Sequence, residues 1–184
     1  MAIKHWMSWE GGVDLVAMMD PSLSQPNVIV HLARMVHTPV GSAPSGVVLW
    51  QPDASAAPQL IGFVSSDPKV GAYFGPNIFA GTPFEQAPVH KATIAIKADL
   101  PCSVSARVEM DGMVFETALS ELGEAETINR AATDMPPFAQ MGIEAVAGAA
   151  SLKVNGQTMD IAVPPVGISG GPAAVWAPAG IYMR

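Results

Sequence analysis

Residues 103–110 and 113–119 are two runs of alternating apolar and polar side chains joined by Asp111-Gly112, and no other stretch restricts the possible folds so much. A two-residue hairpin loop of the favoured hand needs positive φ at both central positions, which Asp-Gly tolerates. That loop pairs Met110 with Met113, Val108 with Phe115 and Val104 with Leu119 on an apolar face, and sets Arg107 opposite Glu116 on the other. A slip of one residue would exchange the faces, so apolar pattern and charge pair agree on one register. A second hairpin is expected around Asn155-Gly156, pairing Leu152 with Met159 and Ala150 with Ile161. The segments from Ala106 and Ala150 align through both turns, as duplicated units would, although any two Asx-Gly hairpins resemble each other.

Seventeen prolines and seventeen glycines punctuate the rest, with the stretches 102–135 and 138–163 free of proline. Proline removes a ladder donor, so regular pairing belongs in those stretches. Further strands are predicted at 13–19, 28–36, 47–51, 59–65, 93–98, 143–150 and 181–183, the second of them also readable as a helical stripe. Asp67-Pro68, a cap and first-turn proline, followed by Gly75-Pro76, a stop, predicts a helix of about two turns. Residues 120–132, with Ser120 as cap, suggest a second. Many short strands without βαβ alternation indicate a single all-β domain over 1–184, an antiparallel β-sandwich or barrel with one or two short helices.

Charge narrows the partners. Only 14% of residues are charged, against about 25% in an average domain, and the net charge is −7. The nine basic residues are scattered, which disfavours nucleic acid. Residues 161–183 contain no Asp, Glu, Lys, Arg or His. A surface so poor in charge is expected to be covered by another copy of the chain, giving a homo-oligomer, or to surround an apolar pocket. No apolar run of about 18 residues is present, so no membrane partner is expected. The start, Met-Ala-Ile-Lys-His-Trp, lacks the apolar stretch of a secretory signal, so a cytoplasmic protein is expected.

Catalytic motifs are scarce. Gly167-Ile-Ser169-Gly-Gly171 matches G-x-S-x-G, but no acid or histidine follows the serine as that chemistry needs. Phosphate-cradling glycine loops are missing, and the lone Cys102 has no activating neighbour. Of the histidines His5, His31, His37 and His90, His31 and His37 fall on one face of a strand about 20 Å apart, too far to share a metal. No metal site and no cofactor are expected, and a hydrogen-bonded structural role is the default for each histidine.

Residues 67–90 stand out as long for a connection. They hold Tyr73, Phe74, Phe79 and Phe84, followed by Glu85 and His90. Aromatics on such a segment suit an apolar ligand, with Trp50 as a further contact, and a Glu85–His90 couple suits proton transfer. The competing reading is that the aromatics pin the segment onto the sheet. Two functions follow: a binding or assembly module holding a small apolar ligand, or a cofactor-independent acid–base enzyme of isomerase, cyclase or hydratase type with its pocket under 67–90.

Overall fold

The computed structural model describes residues 4–184, and they are all-β apart from one short helix. The elements in chain order are β1 Trp6–Ala17, β2 Val28–Thr38, β3 Gly41–Trp50, β4 Leu60–Ser65, α1 Pro68–Asn77, β5 Val89–Lys91, β6 Thr93–Asp99, β7 Ser103–Met110, β8 Met113–Leu122, β9 Glu126–Arg130, β10 Ala139–Val154, β11 Gln157–Met159 and β12 Ala174–Met183. They form one sheet in the order β5-β4-β3-β2-β1-β12-β10-β8-β7-β6, with β4–β5 parallel and its other neighbours antiparallel. The sheet curls into a half-barrel that brings β6 and β7 across to β1–β3. An all-β half-barrel with one short helix is the fold class expected from the sequence.

The β7–β8 hairpin has the register its sequence demands. Arg107 pairs with Glu116 and Val108 with Phe115, around a turn with φ of 48° at Asp111 and 75° at Gly112. The β10–β11 hairpin pairs Leu152 with Met159 and then stops. Ala150 keeps Leu119 as its partner on the β8 side but has no partner in Ile161 on the other, because Ala162 leaves to bridge Met18.

No helix forms over 120–132. β8 and β9 run end to end along one side of β10, separated by residues 123–125, and Glu121, with φ of 55°, interrupts the pairing near the end of β8. The segment's apolar spacing suits a helix, but β10 offers sixteen residues of unpaired edge, and ladder hydrogen bonds override weak local propensity. The other helix forms as α1, with Pro68 in its first turn and the Asp67 carboxylate accepting from the Lys69 N–H at 2.9 Å.

β1–β4 are buried on both faces. Toward the inside of the curl, Val13, Leu15, Val30, Leu32 and Trp50 meet Phe115, Leu119 and Leu152. On the outer face, Trp9, Val16, Ile29, Val36, Val47 and Phe63 lie beneath Phe74 and Ile78. Each such side chain contributes about 1.5–3 kcal/mol through burial. Two-sided burial produces near-continuous apolar runs, which is why 28–36 also reads as a helical stripe. Within β2, Ala33 and Val36 both belong to the outer core, and the register against β3 shifts between them. This bulge puts His37 on the opposite face from His31, correcting the expectation that they share one. Of the uncharged 161–183 segment, residues 173–177 are buried inside this same chain, whereas Val163, Val166 and Ile168 are exposed.

Candidate functional site: an aromatic cavity on the outer face

Between the outer face of β1–β4 and its cover lies a cavity of about 390 Å³. The cover consists of α1 and the following segment through Phe84, completed by loops carrying Met135, Pro136, Ile168 and Ser169. Its size falls within the roughly 300–1,000 Å³ typical of small-molecule sites. Small residues on the strands, Gly12, Ala33 and Gly46, leave the floor open. The walls are an aromatic chain. Phe63 lies 5.5 Å from Phe74 and 5.3 Å from Phe79, Phe79 lies 5.4 Å from Phe138, and Phe138 lies 4.3 Å from Tyr182, centroid to centroid. Trp9 closes the chain at 4.7 Å from Tyr182. Its indole lies so close over β12 that a Cβ on Gly180 would sit 2.2 Å from the ring, so only glycine fits there.

Against this apolar lining stand Asp14 and His31, direct cross-strand partners on β1 and β2. His31 Nδ1 is 3.9 Å from Asp14 Oδ1, beyond hydrogen-bond reach. His31 Nε2 is the one buried side-chain polar atom among the described residues without a hydrogen-bond partner. An unpaired buried polar group costs about 1–3 kcal/mol, so the strands hold this imidazole at a loss in stability. The default structural role does not describe it.

Burial is the largest influence on Asp14 and lifts its carboxyl above the ordinary range; His31 pulls it back, Glu144 adds to the rise and Arg130 opposes it. The side chain keeps 22% exposure and lines the cavity. Tyr182, which also lines the cavity, is raised by burial and by the charges of Asp14 and Glu144, and stays a neutral hydroxyl. Beyond them, Arg130 of β9 grips Glu144 of β10 in a two-pronged pair at 2.7 and 2.6 Å, and Gln140 bonds to both partners. A neighbouring recess of about 290 Å³ joins Arg130, Thr133 and Gln140 to Met135, Phe138 and Ser169, which the main cavity shares.

A raised carboxyl pKa has a defined consequence for stability. The folded chain binds a proton at Asp14 more readily than the unfolded chain, so stability falls as pH rises from the unfolded value through the folded one. Asp14→Asn removes that loss. The variant should be more stable than wild type by on the order of 1 kcal/mol at pH 7, with the difference shrinking toward about pH 3, as read by urea unfolding at the two pH values.

The residues singled out in the sequence are distributed as follows. Phe74, Phe79 and Phe84 line the cavity. Tyr73 is buried beside it, its hydroxyl accepting from the Trp6 N–H at 3.3 Å. Trp50 lies in the inner core, 6.0 Å from Phe115. Glu85 accepts from the Gly81 N–H at 2.7 Å and so closes its own turn. His90 pairs with Asp111 at 2.5 Å and approaches the Ile61 carbonyl at 3.2 Å, tying β5 to the β7–β8 turn. The structure does not bring Glu85 and His90 together, and neither lines the cavity. Asp14 and His31 carry no motif. Their signal was isolation, since Asp14 is the sole ionisable residue of 11–19 and His31 sits within the apolar run 28–33. Comparison with protein-family models, with curated proteins and with solved structures returns no match, so the site is read from its own geometry.

Proposed function

We propose that this protein binds a compact, largely apolar small molecule bearing one hydroxyl or carbonyl group. The observation that carries the reading is the Asp14–His31 pair, whose facing atoms stand 3.9 Å apart with no hydrogen bond between them in a cavity lined mainly by apolar and aromatic side chains. An oxygen placed about 2.8 Å from both His31 Nδ1 and Asp14 Oδ1 bridges their 3.9 Å gap with ordinary hydrogen bonds. A site that leaves polar groups unsatisfied until such an oxygen arrives discriminates strongly against analogues lacking it. Flat aromatic walls favour a planar or alicyclic body over a flexible chain.

2-Naphthol and 2-methylnaphthalene share a shape and differ in the hydroxyl. Fluorescence titration should show 2-naphthol binding at least tenfold more tightly, an advantage of about 1.4 kcal/mol, and His31→Leu should erase the preference. Equal affinities in the wild-type protein, or no binding of either probe, would overturn the reading.

A further inference from the structure

We propose that Asp14 and His31 form a proton-transfer pair that moves a carbon–carbon double bond into conjugation with a ketone, converting a β,γ-unsaturated ketone to its α,β isomer without a cofactor. The inference rests on the binding reading above and goes beyond it, from holding a carbonyl compound to changing it.

Spacing is the first support. The oxygen of a ketone lies about 2.4 Å from its α-carbon, from standard bond lengths. With the oxygen about 2.7 Å from Asp14 Oδ1 and the α-carbon about 3 Å from His31 Nδ1, the four atoms close a folded quadrilateral on the observed 3.9 Å edge, with the imidazole above the carbonyl plane where the breaking C–H overlaps the π system. One edge of a ketone thus meets an acid and a base at once.

The chemistry of the neighbours is the second. The Arg130–Glu144 pair answers its own charges, and Asp14 and His31 take the roles of acid and base. Burial lifts the Asp14 carboxyl above the ordinary range, which suits it to give a proton to a carbonyl oxygen. The Ser45 hydroxyl is engaged by Ser65 at 2.8 Å and by the Ala43 carbonyl at 3.1 Å, and Cys102 is exposed outside the cavity lining.

The steps balance. His31 takes the α-proton; the C–H pair becomes the new carbon–carbon π bond, and the carbonyl π pair takes the proton of Asp14, giving a planar dienol between aromatic walls. The dienol O–H proton then returns to the Asp14 carboxylate. The restored carbonyl draws electrons through the diene, and the γ-carbon accepts the proton from His31. Nothing is oxidised or reduced, and both side chains regain their starting forms.

3-Cyclohexen-1-one is a suitable probe, since its conjugated isomer absorbs in the ultraviolet and its binding is visible by saturation-transfer NMR. The wild-type protein should accelerate the conversion above matched imidazole–acetate buffer. Asp14→Asn and His31→Gln should each lower that rate by roughly 100-fold or more while the ketone still binds. Glu116→Gln, on the hairpin's exposed face, should leave the rate unchanged. Binding without acceleration by the wild-type protein overturns this inference and leaves the binding reading standing. Absence of binding by both this ketone and 2-naphthol overturns the two together. Acceleration that persists in both variants assigns the chemistry elsewhere and overturns the roles given to this pair.

Discussion

Arg130→Met should lower the unfolding free energy by about 3–5 kcal/mol, among the largest effects of any single substitution in the chain. Glu144 is only 6% exposed, and both of its oxygens are held by the guanidinium at 2.6–2.7 Å. Methionine keeps the volume but leaves a buried carboxylate with the Gln140 amide, at 3.0 Å, as its remaining side-chain donor. The cost is the stranded charge and not the value of the pair, so removing the charge as well should restore most of the loss. The double variant Arg130→Met/Glu144→Gln is accordingly expected within about 1–2 kcal/mol of wild type by urea unfolding. A single variant within about 1 kcal/mol of wild type would show that water reaches Glu144 and that the region is not sealed.

Phe63→Ala should cost a comparable 3–5 kcal/mol. Its ring is 1% exposed and stands at the junction of Phe74, Phe79 and Phe84, with centroids at 5.5, 5.3 and 6.5 Å. Removing it deletes the aromatic contact between β4 and the cover and enlarges the cavity. The neighbours are anchored apart: Arg184 donates to the backbone carbonyls of Ile78 and Ala80, and the Ser45–Ser65 hydroxyl pair fixes the entry to α1. Inward collapse is therefore restricted, and the cost should lie toward the full cavity value. A loss below about 1.5 kcal/mol would mean that the cover falls into the gap, and the same variant would then fail to bind 2-naphthol.

Much of the sheet was legible because alternation and turn chemistry act locally. Asp111-Gly112 set its register without reference to anything distant, and Asp67-Pro68 marked the start of α1 for the same reason. What depended on a distant partner was not legible. Residues 120–132 look helical in isolation and become strand only because β10 runs alongside. Pro44 and Pro178 sit inside strands β3 and β12, where the missing proline donor argues locally against a ladder. The site divides along the same line. The aromatic segment 67–90 announced itself by composition, and three of its rings line the cavity. The pairing of Glu85 with His90 was inferred from sequence proximity, yet each meets a different partner. Asp14 and His31 are seventeen residues apart and meet only through the β1–β2 ladder, so isolation within an apolar run marks each of them but not their pairing.

The four strands that floor the cavity also enclose the inner core, and this has a practical outcome. A molecule settling against the outer face of β1–β4 can do so only while those strands are folded, so its binding energy adds to the stability of the whole half-barrel and not to a loop alone. Occupancy at a hundred times the dissociation constant raises that stability by about 2.7 kcal/mol, which amounts to several degrees in melting temperature. The melting curve of the unmodified protein therefore serves as a detector for whatever compound belongs in the cavity, and a collection of small ketones and alcohols can be ranked by it with no assay for turnover.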